Sequence, residues 1–171
     1  LAVGDEILIE KQAHGFLTLD RFVDGENLWL LSTGTGVAPF LSMLQDFQVW
    51  QRFQRIILVY SVRTQAELAY GDLLAEIVTR EYVVEYADKF TFVPVVTREA
   101  VSGCLGARIT DLLMSGELER LVDLPMEAGH SRVLLCGNPE MVEDCRMLLQ
   151  KRDMQLSLTR KPGAVAVENY W

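Results

Sequence analysis

The sequence predicts an α/β fold in which five parallel strands form a doubly wound sheet of order 3-2-1-4-5. Five apolar, β-rich runs recur at long intervals and read as strands buried on both faces. They are LWLLS (28–32), RIILVYSV (55–62), TFVPVV (91–96), RVLLC (132–136) and MQLSL (154–158). Helical signals lie between these runs, and the repeated strand–helix–strand pattern indicates a parallel sheet with right-handed crossovers.

The intervening stretches carry start signals and apolar spacing typical of helices. Pro39 begins PFLSMLQDF at a position where a missing N–H is tolerated, and residues 73–84 carry apolar side chains at helical spacing. Thr110 and Asp111 precede LLMSGEL. Pro139 opens PEMVEDCRMLLQKR, in which acidic residues come early and basic residues late, the order that suits the helix dipole.

Composition places the chain among globular proteins and excludes several function classes. The 171 residues are 50% apolar, and a net charge of −8 argues against a nucleic-acid-binding protein. No apolar run approaches the length of about 20 residues that a membrane span needs, and no signal peptide is visible. The three cysteines form no C-x-x-C motif and both histidines are isolated, so no metal site is predicted. Reduced thiols favour a cytoplasmic location.

The start of the chain differs from the rest. EILIEKQAHGFLTL (6–19) predicts two short antiparallel strands around a glycine turn, more like the end of a separate β domain than the start of the sheet. RFVDGEN (21–27) would then be a linker. The predicted boundary separates residues 1–27 from a sheet domain over 28–171, although an edge hairpin of the same domain remains open.

Two loops look like ligand sites. Thr33-Gly34-Thr35-Gly36-Val37-Ala38-Pro39 lies between the first strand and a helix, where glycines let backbone N–H groups approach an anion. Its G-x-G-x-x-P pattern departs from the dinucleotide fingerprint, so a plain structural turn stays open. Cys136-Gly137-Asn138-Pro139-Glu140-Met141 has the same context after the fourth strand. Strands one and four are neighbours in the predicted order, so both loops meet at the switch point where such sheets bind ligands.

Three arginines and an aromatic chain end complete the candidate site. Arg63, Arg98 and Arg108 follow the second and third strands, where a basic residue suits the 2′-phosphate of NADP and an acidic one would suit NAD. Three solvated surface arginines, with Arg98 paired to Glu99, are the alternative. The chain ends in AVAVENYW, whose final aromatic rings would stack on a flat ring system or pack on the protein's own surface.

Together these segments resemble the bacterial ferredoxin/flavodoxin–NADP reductases. LLSTGTGVAPFLSML, VYSVR, VVTRE, GAR, LLCGNPEMV and VENYW occur in that family's order with its approximate spacing. The resemblance implies that residues 28–171 are the NADP-binding domain and that 1–27 hold the end of the FAD-binding β-barrel plus a linker. That family's FAD domain carries an R-x-Y-S motif that these residues lack, which implies a fragment holding the NADP half of the site.

The resemblance also implies roles for individual residues. The arginines would bind the 2′-phosphate beside Val62 and Thr97, and the TGTG loop would meet the pyrophosphate, the flavin and the nicotinamide. Further cofactor contacts would come from Gly137, Asn138, Pro139 and Asp144. The implied catalytic residues are Cys136 near nicotinamide C4, Glu168 as an acidic group near the reacting rings, and Tyr170, which with Trp171 would also stack on FAD.

The implied function is electron transfer in which NADPH gives a hydride to FAD and FAD reduces ferredoxin or flavodoxin. Two alternatives remain. The first is an isolated nucleotide-binding module without redox activity. The second is a reductase of the NADH-using, oxygenase-partner type, against which the three arginines count.

Overall fold

In the computed structural model, residues 2, 4–9, 11, 15 and 17–169 are described. One five-stranded sheet of order β3-β2-β1-β4-β5 forms its centre, and all of its neighbouring strands run parallel. The strands are β1 (Asn27–Thr33), β2 (Arg55–Val62), β3 (Phe90–Val96), β4 (Ser131–Gly137) and β5 (Val165–Asn169). The predicted doubly wound sheet is confirmed, including its order.

Helices cover both faces of the sheet. They are α1 (Ala38–Met43), α2 (Phe47–Arg52), α3 (Gly71–Ile77), α4 (Ile109–Ser115), α5 (Glu117–Val122) and α6 (Pro139–Gln150). Alternate residues of β1 divide between two cores: Leu28 and Leu30 pack on the face of α1 to α3, and Trp29 and Leu31 on the face of α4 to α6. Burial on both faces explains why the strands read as continuous apolar runs.

Three predicted helices are shorter than their apolar spacing indicates. The helix expected over residues 73–84 ends at Ile77 in α3, and turns follow it. PFLSMLQDF is divided, because α1 ends at Met43 and the Asp46 carboxylate caps a new helix by accepting the Gln48 N–H at 2.9 Å. LLMSGEL is divided at Gly116, whose positive φ of 69° ends α4 before α5 begins. Within the described residues, no helix is long and apolar enough to cross a bilayer.

The fifth strand is not the one predicted. MQLSL (154–158) makes only isolated bridges, whereas Val165–Asn169 pairs with β4 in continuous register from Val133 to Gly137. The free side of β4 has room for one partner strand, and the VAVEN run occupies it. Gly163 allows the chain to fold back tightly, because a Cβ there would lie 2.3 Å from the Gln155 carbonyl oxygen.

No antiparallel strand pair is present in the described part of residues 2–26, whose one regular element is a 3₁₀ helix, Leu19–Arg21. The side chains of Ile7, Leu8 and Ile9 are exposed. A strand requires a hydrogen-bonded partner, and none of the described residues supplies one to this stretch. His14 lies outside the described residues.

Residues 17–26, which we call the strap, are held firmly against the sheet domain. Leu17 and Phe22 are buried in the core on the α1 to α3 face. Arg52 donates from Nη1 to the Leu19 carbonyl at 3.1 Å and from Nη2 to the Phe22 carbonyl at 2.6 Å. The stretch predicted to be a linker therefore packs as part of the domain.

Candidate functional site

A cleft of about 560 Å³ opens at the carboxyl ends of the strands, across the switch point between β1 and β4. The loops after β2 and β3 form one wall of the cleft. The loop after β4 and the start of α6 form another. The lining residues are Thr33, Gly34, Thr35, Ser61, Val62, Arg63, Glu67, Thr97, Arg98, Arg108, Ile109, Thr110, Asn138, Glu140, Met141 and Asp144.

The loop after β1 turns tightly against the loop after β4. Gly34–Val37 form a 3₁₀ helix that leads directly into α1. A Cβ added to Gly36 would lie 2.4 Å from the Cys136 carbonyl oxygen and 2.5 Å from Cα of Gly137. Only glycine fits at this position, because the obstructing atoms belong to the backbone.

The loop after β4 contacts the end of β1 and places the N-terminus of α6 at the cleft. Gly137 has a φ of +133°, and a Cβ there would lie 2.2 Å from Thr33 Oγ1. The Asn138 N–H donates to that same hydroxyl at 2.8 Å. The Asn138 side chain accepts from the N–H groups of Glu140 and Met141, so it caps α6. The two loops predicted to meet are in direct contact.

The predicted arginines sit on loops that continue the sheet. The Thr97 N–H donates to the Val62 carbonyl at 3.0 Å, and the Arg98 N–H donates to the Arg63 carbonyl at 2.9 Å. Arg108 precedes α4 and lines the same wall. All three guanidinium groups are thereby brought to one side of the cleft, the side of β2 and β3.

These arginines differ in what they bind within the described part of the chain. Arg98 and Arg108 are exposed and make no ion pair there. The alternative pairing of Arg98 with Glu99 is not formed, since Glu99 accepts a hydrogen bond from the Gln65 N–H instead. Two uncompensated cations therefore face the cleft.

Arg63 is paired. Its Nη2 donates to Glu67 Oε1 at 3.0 Å, and its main-chain N–H donates to Glu67 Oε2 at 3.0 Å. These hydrogen bonds, the backbone one first, lower the pKa of the Glu67 carboxyl below its ordinary value. Glu67 thus stays ionised inside a cleft that otherwise carries positive charge on this wall.

Cys136 and Glu168 occupy neighbouring positions on β4 and β5. Cys136 is fully buried in the core on the α1 to α3 face and does not line the cleft. Burial, with a smaller effect from the Glu168 charge, raises the pKa of its thiol to about 11. Glu168 also lies close to the segment before the strap, since a Cβ on Gly15 would be 3.0 Å from its Oε1.

The structure brings most of the predicted binding residues together. Thr33, Gly34, Thr35, Val62, Arg63, Thr97, Arg98, Arg108, Asn138 and Asp144 line the cleft. Gly36, Cys136, Gly137, Pro139 and Glu168 lie outside its lining, and Tyr170 and Trp171 lie outside the described residues. No group of potential metal ligands occurs among the described residues.

Glu67 is the most informative lining residue that the sequence pattern missed. Its spacing of four residues from Arg63 is a recognised ion-pair signal, although at sequence level nothing distinguished it from other such pairs. Ser61, Ile109 and Thr110 also line the cleft without having been predicted there, whereas Glu140 and Met141 belong to the loop predicted as a ligand site.

Comparison with known proteins agrees with this geometry. A family model described as the oxidoreductase NAD-binding domain matches residues 30–147, which hold the cleft. The flavodoxin/ferredoxin–NADP reductase of Escherichia coli K12 is 42% identical over 172 residues, covering 100% of this chain and 67% of that protein. The chain belongs to the flavodoxin/ferredoxin–NADP reductase family. The member from Buchnera aphidicola subsp. Schizaphis graminum is 40% identical, covering 100% of this chain and 65% of that protein.

A solved member of the reductase family shows the same fold. The ferredoxin–NADP+ reductase from Neisseria gonorrhoeae, whose crystal structure holds FAD and NADP, superposes with a TM-score of 0.85 at 37% identity. The match covers 95% of this chain and 63% of that one. The chain thus spans about two thirds of the length of the relatives it matches.

Proposed function

We propose that this chain is the NADP(H)-binding part of a flavin-dependent reductase that passes electrons between NADPH and ferredoxin or flavodoxin through FAD. One observation carries the proposal. The uncompensated guanidinium groups of Arg98 and Arg108 face the cleft from the β3 side, opposite the capped N-terminus of α6. That combination suits a dinucleotide with an additional phosphate on its adenosine ribose.

The adenosine half of NADP would lie toward β2 and β3. The 2′-phosphate would be bound by Arg98 and Arg108, with Arg63 as a third cation, and Val62 and Thr97 would lie beside it. The pyrophosphate would lie over the loop of Thr33, Gly34, Thr35 and Gly36, close to the start of α6. Exposed guanidinium groups with no carboxylate partner leave their hydrogen-bond donors available to phosphate oxygens.

The nicotinamide half would lie toward β4 and β5. Asn138 and Asp144 line that wall, and Gly137 and Pro139 shape its loop. Cys136 supports the wall from within the core and keeps its proton at neutral pH, because burial raises its pKa to about 11. We assign it orientation of the ring rather than proton transfer.

Glu168 is the acidic group that we place near the reacting rings, next to Cys136 in the strand register. Tyr170 and Trp171, which follow β5, would stack on the flavin. When FAD is bound, it can accept a hydride and release electrons one at a time. Part of the flavin contacts would be missing from this chain, because the R-x-Y-S motif of the family's FAD domain is not among its residues.

That shortage of flavin contacts supports the alternative, a nucleotide-binding module without redox activity when these 171 residues stand alone. The yellow colour of bound flavin after gel filtration separates the two proposals. The unpaired thiols Cys104, Cys136 and Cys145 suit a reducing compartment, and we place the protein in the cytoplasm.

Calorimetric titration of NADP and NAD into the chain and its Arg98→Ala variant tests the proposal. A charge-assisted contact to phosphate contributes about 1.5–3 kcal/mol, so we expect NADP affinity to fall at least about tenfold. NAD affinity should not change. Arg120→Ala, on α5 and outside the cleft, is the matched control and should leave both affinities unaltered. Equal losses for both nucleotides in Arg98→Ala would remove the 2′-phosphate assignment.

A further inference from the structure

An acidic residue stands where the cleft meets the end of β2. In dinucleotide sites that prefer NAD, a carboxylate near this point accepts a hydrogen bond from the adenosine ribose 2′-hydroxyl. Glu67 lines the cleft beside Arg63 and Arg98, in the 3₁₀ helix Gln65–Glu67 that follows β2. The cleft therefore carries an NAD-type acceptor together with its NADP-type arginines.

The two oxygens of Glu67 are held differently. Oε2 accepts the main-chain N–H of Arg63, a donor that every residue except proline would supply at that position. Oε1 accepts Nη2 of the Arg63 side chain, a donor that a substitution removes. The backbone of Glu67 is fixed independently, because its N–H donates to the Thr64 carbonyl at 3.0 Å and the Tyr60 hydroxyl donates to its carbonyl at 3.1 Å.

We propose that Arg63 and Glu67 form a masked specificity site, in which Arg63 covers a carboxylate that would otherwise accept the 2′-hydroxyl of NAD. Removing the Arg63 side chain would leave Glu67 Oε2 anchored to the backbone and Oε1 uncovered toward the cleft. This inference rests on the proposed NADP-binding function and adds to it a second determinant of nucleotide choice.

The pair acts on the two nucleotides with opposite signs. Toward a 2′-phosphate, Arg63 supplies positive charge and offsets the negative charge of Glu67. Toward a 2′-hydroxyl, Arg63 is unfavourable, because its guanidinium occupies Glu67 Oε1, the atom that would accept the hydrogen bond from NAD. Arg98 has no carboxylate partner among the described residues, so its loss weakens the phosphate contact and uncovers nothing.

The test is nucleotide binding by the 171-residue chain and four variants, with NADP and NAD as probes in calorimetry. For Arg63→Ala we expect NADP to bind about tenfold more weakly and NAD about tenfold more tightly, the change that one hydrogen bond to a charged group produces. Adding Glu67→Gln to Arg63→Ala should return NAD affinity to that of the parent chain. Arg98→Ala should weaken NADP with no gain for NAD.

The Arg63 side chain is 63% exposed, so Arg63→Ala keeps the fold, and circular dichroism checks this. Arg63→Gln, which keeps part of the stem, serves as a second variant and should show the same gain for NAD. Unchanged NAD affinity in both variants, or a gain that survives in the double variant, would overturn the masked site. A parent chain that binds NADP and NAD equally would instead contradict the proposed NADP function.

Discussion

Cys136 illustrates how position on a central strand sets the chemistry of a single side chain. Its thiol lies in the core, with Glu168 beside it in the neighbouring strand. Both burial and that negative charge oppose the thiolate and raise the pKa of Cys136 from 9.0 to about 11. Cys136 therefore remains a neutral, space-filling group over the whole physiological range.

The raised pKa predicts how Cys136 makes stability depend on pH. Above pH 9 the unfolded chain loses the Cys136 proton while the folded chain keeps it up to about pH 11. The folded state then holds more protons, so the stability from Cys136 is complete below pH 9 and is lost as pH rises through 11. We expect the free energy of unfolding to fall by about 1.4 kcal/mol per pH unit in this window, relative to Cys136→Ala.

Urea denaturation of both proteins at several pH values between 8 and 11 measures this slope. Contributions from the other ionisable groups are the same in both proteins and cancel in this comparison. If the free energy of unfolding changes with pH in the same way in the parent chain and in Cys136→Ala, the Cys136 thiol is not shielded as the structure indicates.

The sequence alone predicts that Arg63 and Arg98 lie at the candidate site, but it does not predict that Glu67 lies there. Arg63 directly follows β2 and Arg98 comes two residues after β3, so topology alone brings both to the carboxyl edge of the sheet that the cleft occupies. Glu67 enters the cleft only because a short 3₁₀ helix turns its side chain back onto Arg63. Sequence spacing shows that two charges can meet, but not which surface they then share.

The loops after β1 and β4 work as one interlocked element. Gly36 and Gly137 each approach the opposite loop too closely for a side chain, and the Asn138 N–H binds Thr33 across the junction. The two loops beneath the cleft therefore hold each other in place, and their close contact depends on two glycines.

Gly36→Ala should separate these loops, because its Cβ would lie 2.4 Å from the Cys136 carbonyl oxygen. We expect it to destabilise the chain by about 3 kcal/mol and to weaken NADP binding. Gly34→Ala is the control, since its Cβ meets nothing within 4 Å and only the φ of +52° is strained. We expect that change to cost about 1 kcal/mol in urea denaturation. Equal losses for the two variants would disprove the close approach.

Prediction succeeded for β1 to β4, including the edge strand β3, and erred only at the other edge of the sheet, where β5 forms. The runs that became β1, β2 and β4 had to be buried on both faces, which leaves a clear pattern. MQLSL and VAVEN are both apolar and β-prone, and they compete for one open side of β4. Which run pairs with β4 is decided by the turn around Gly163, a tertiary feature.

For the molecule as a whole, the strap packs on the sheet domain although it precedes the predicted boundary at residue 27. Phe22 and Leu17 fill the core on the α1 to α3 face, and Arg52 holds the intervening carbonyls. Arg132, at the start of β4, binds Asp24 and draws the end of the strap to the opposite half of the sheet.

A chain trimmed to residues 28–171 should fold but be less stable than the 171-residue chain. Burial of a large apolar side chain contributes about 1.5–3 kcal/mol, so loss of Leu17 and Phe22 should lower the free energy of unfolding by about 3–6 kcal/mol. A chain that begins at Gly15 keeps the strap and loses residues 1–14, of which those that the structure describes are exposed. We expect it to match the parent in urea denaturation. If both shortened chains are equally stable, the strap contributes nothing.

The sheet order has a consequence for synthesis of the chain. β1, β2 and β3 are consecutive in sequence and adjacent in space, so a growing polypeptide can assemble this half-sheet as soon as β3 has left the ribosome. The cleft wall that carries Arg63, Arg98 and Arg108 is complete soon afterwards, because Arg108 directly precedes α4. The other wall comes later, because the Thr33–Asn138 hydrogen bond joins residues 105 positions apart. Until β4 arrives, one side of β1 is an unpaired apolar edge. We expect chaperones to engage the nascent chain at that edge.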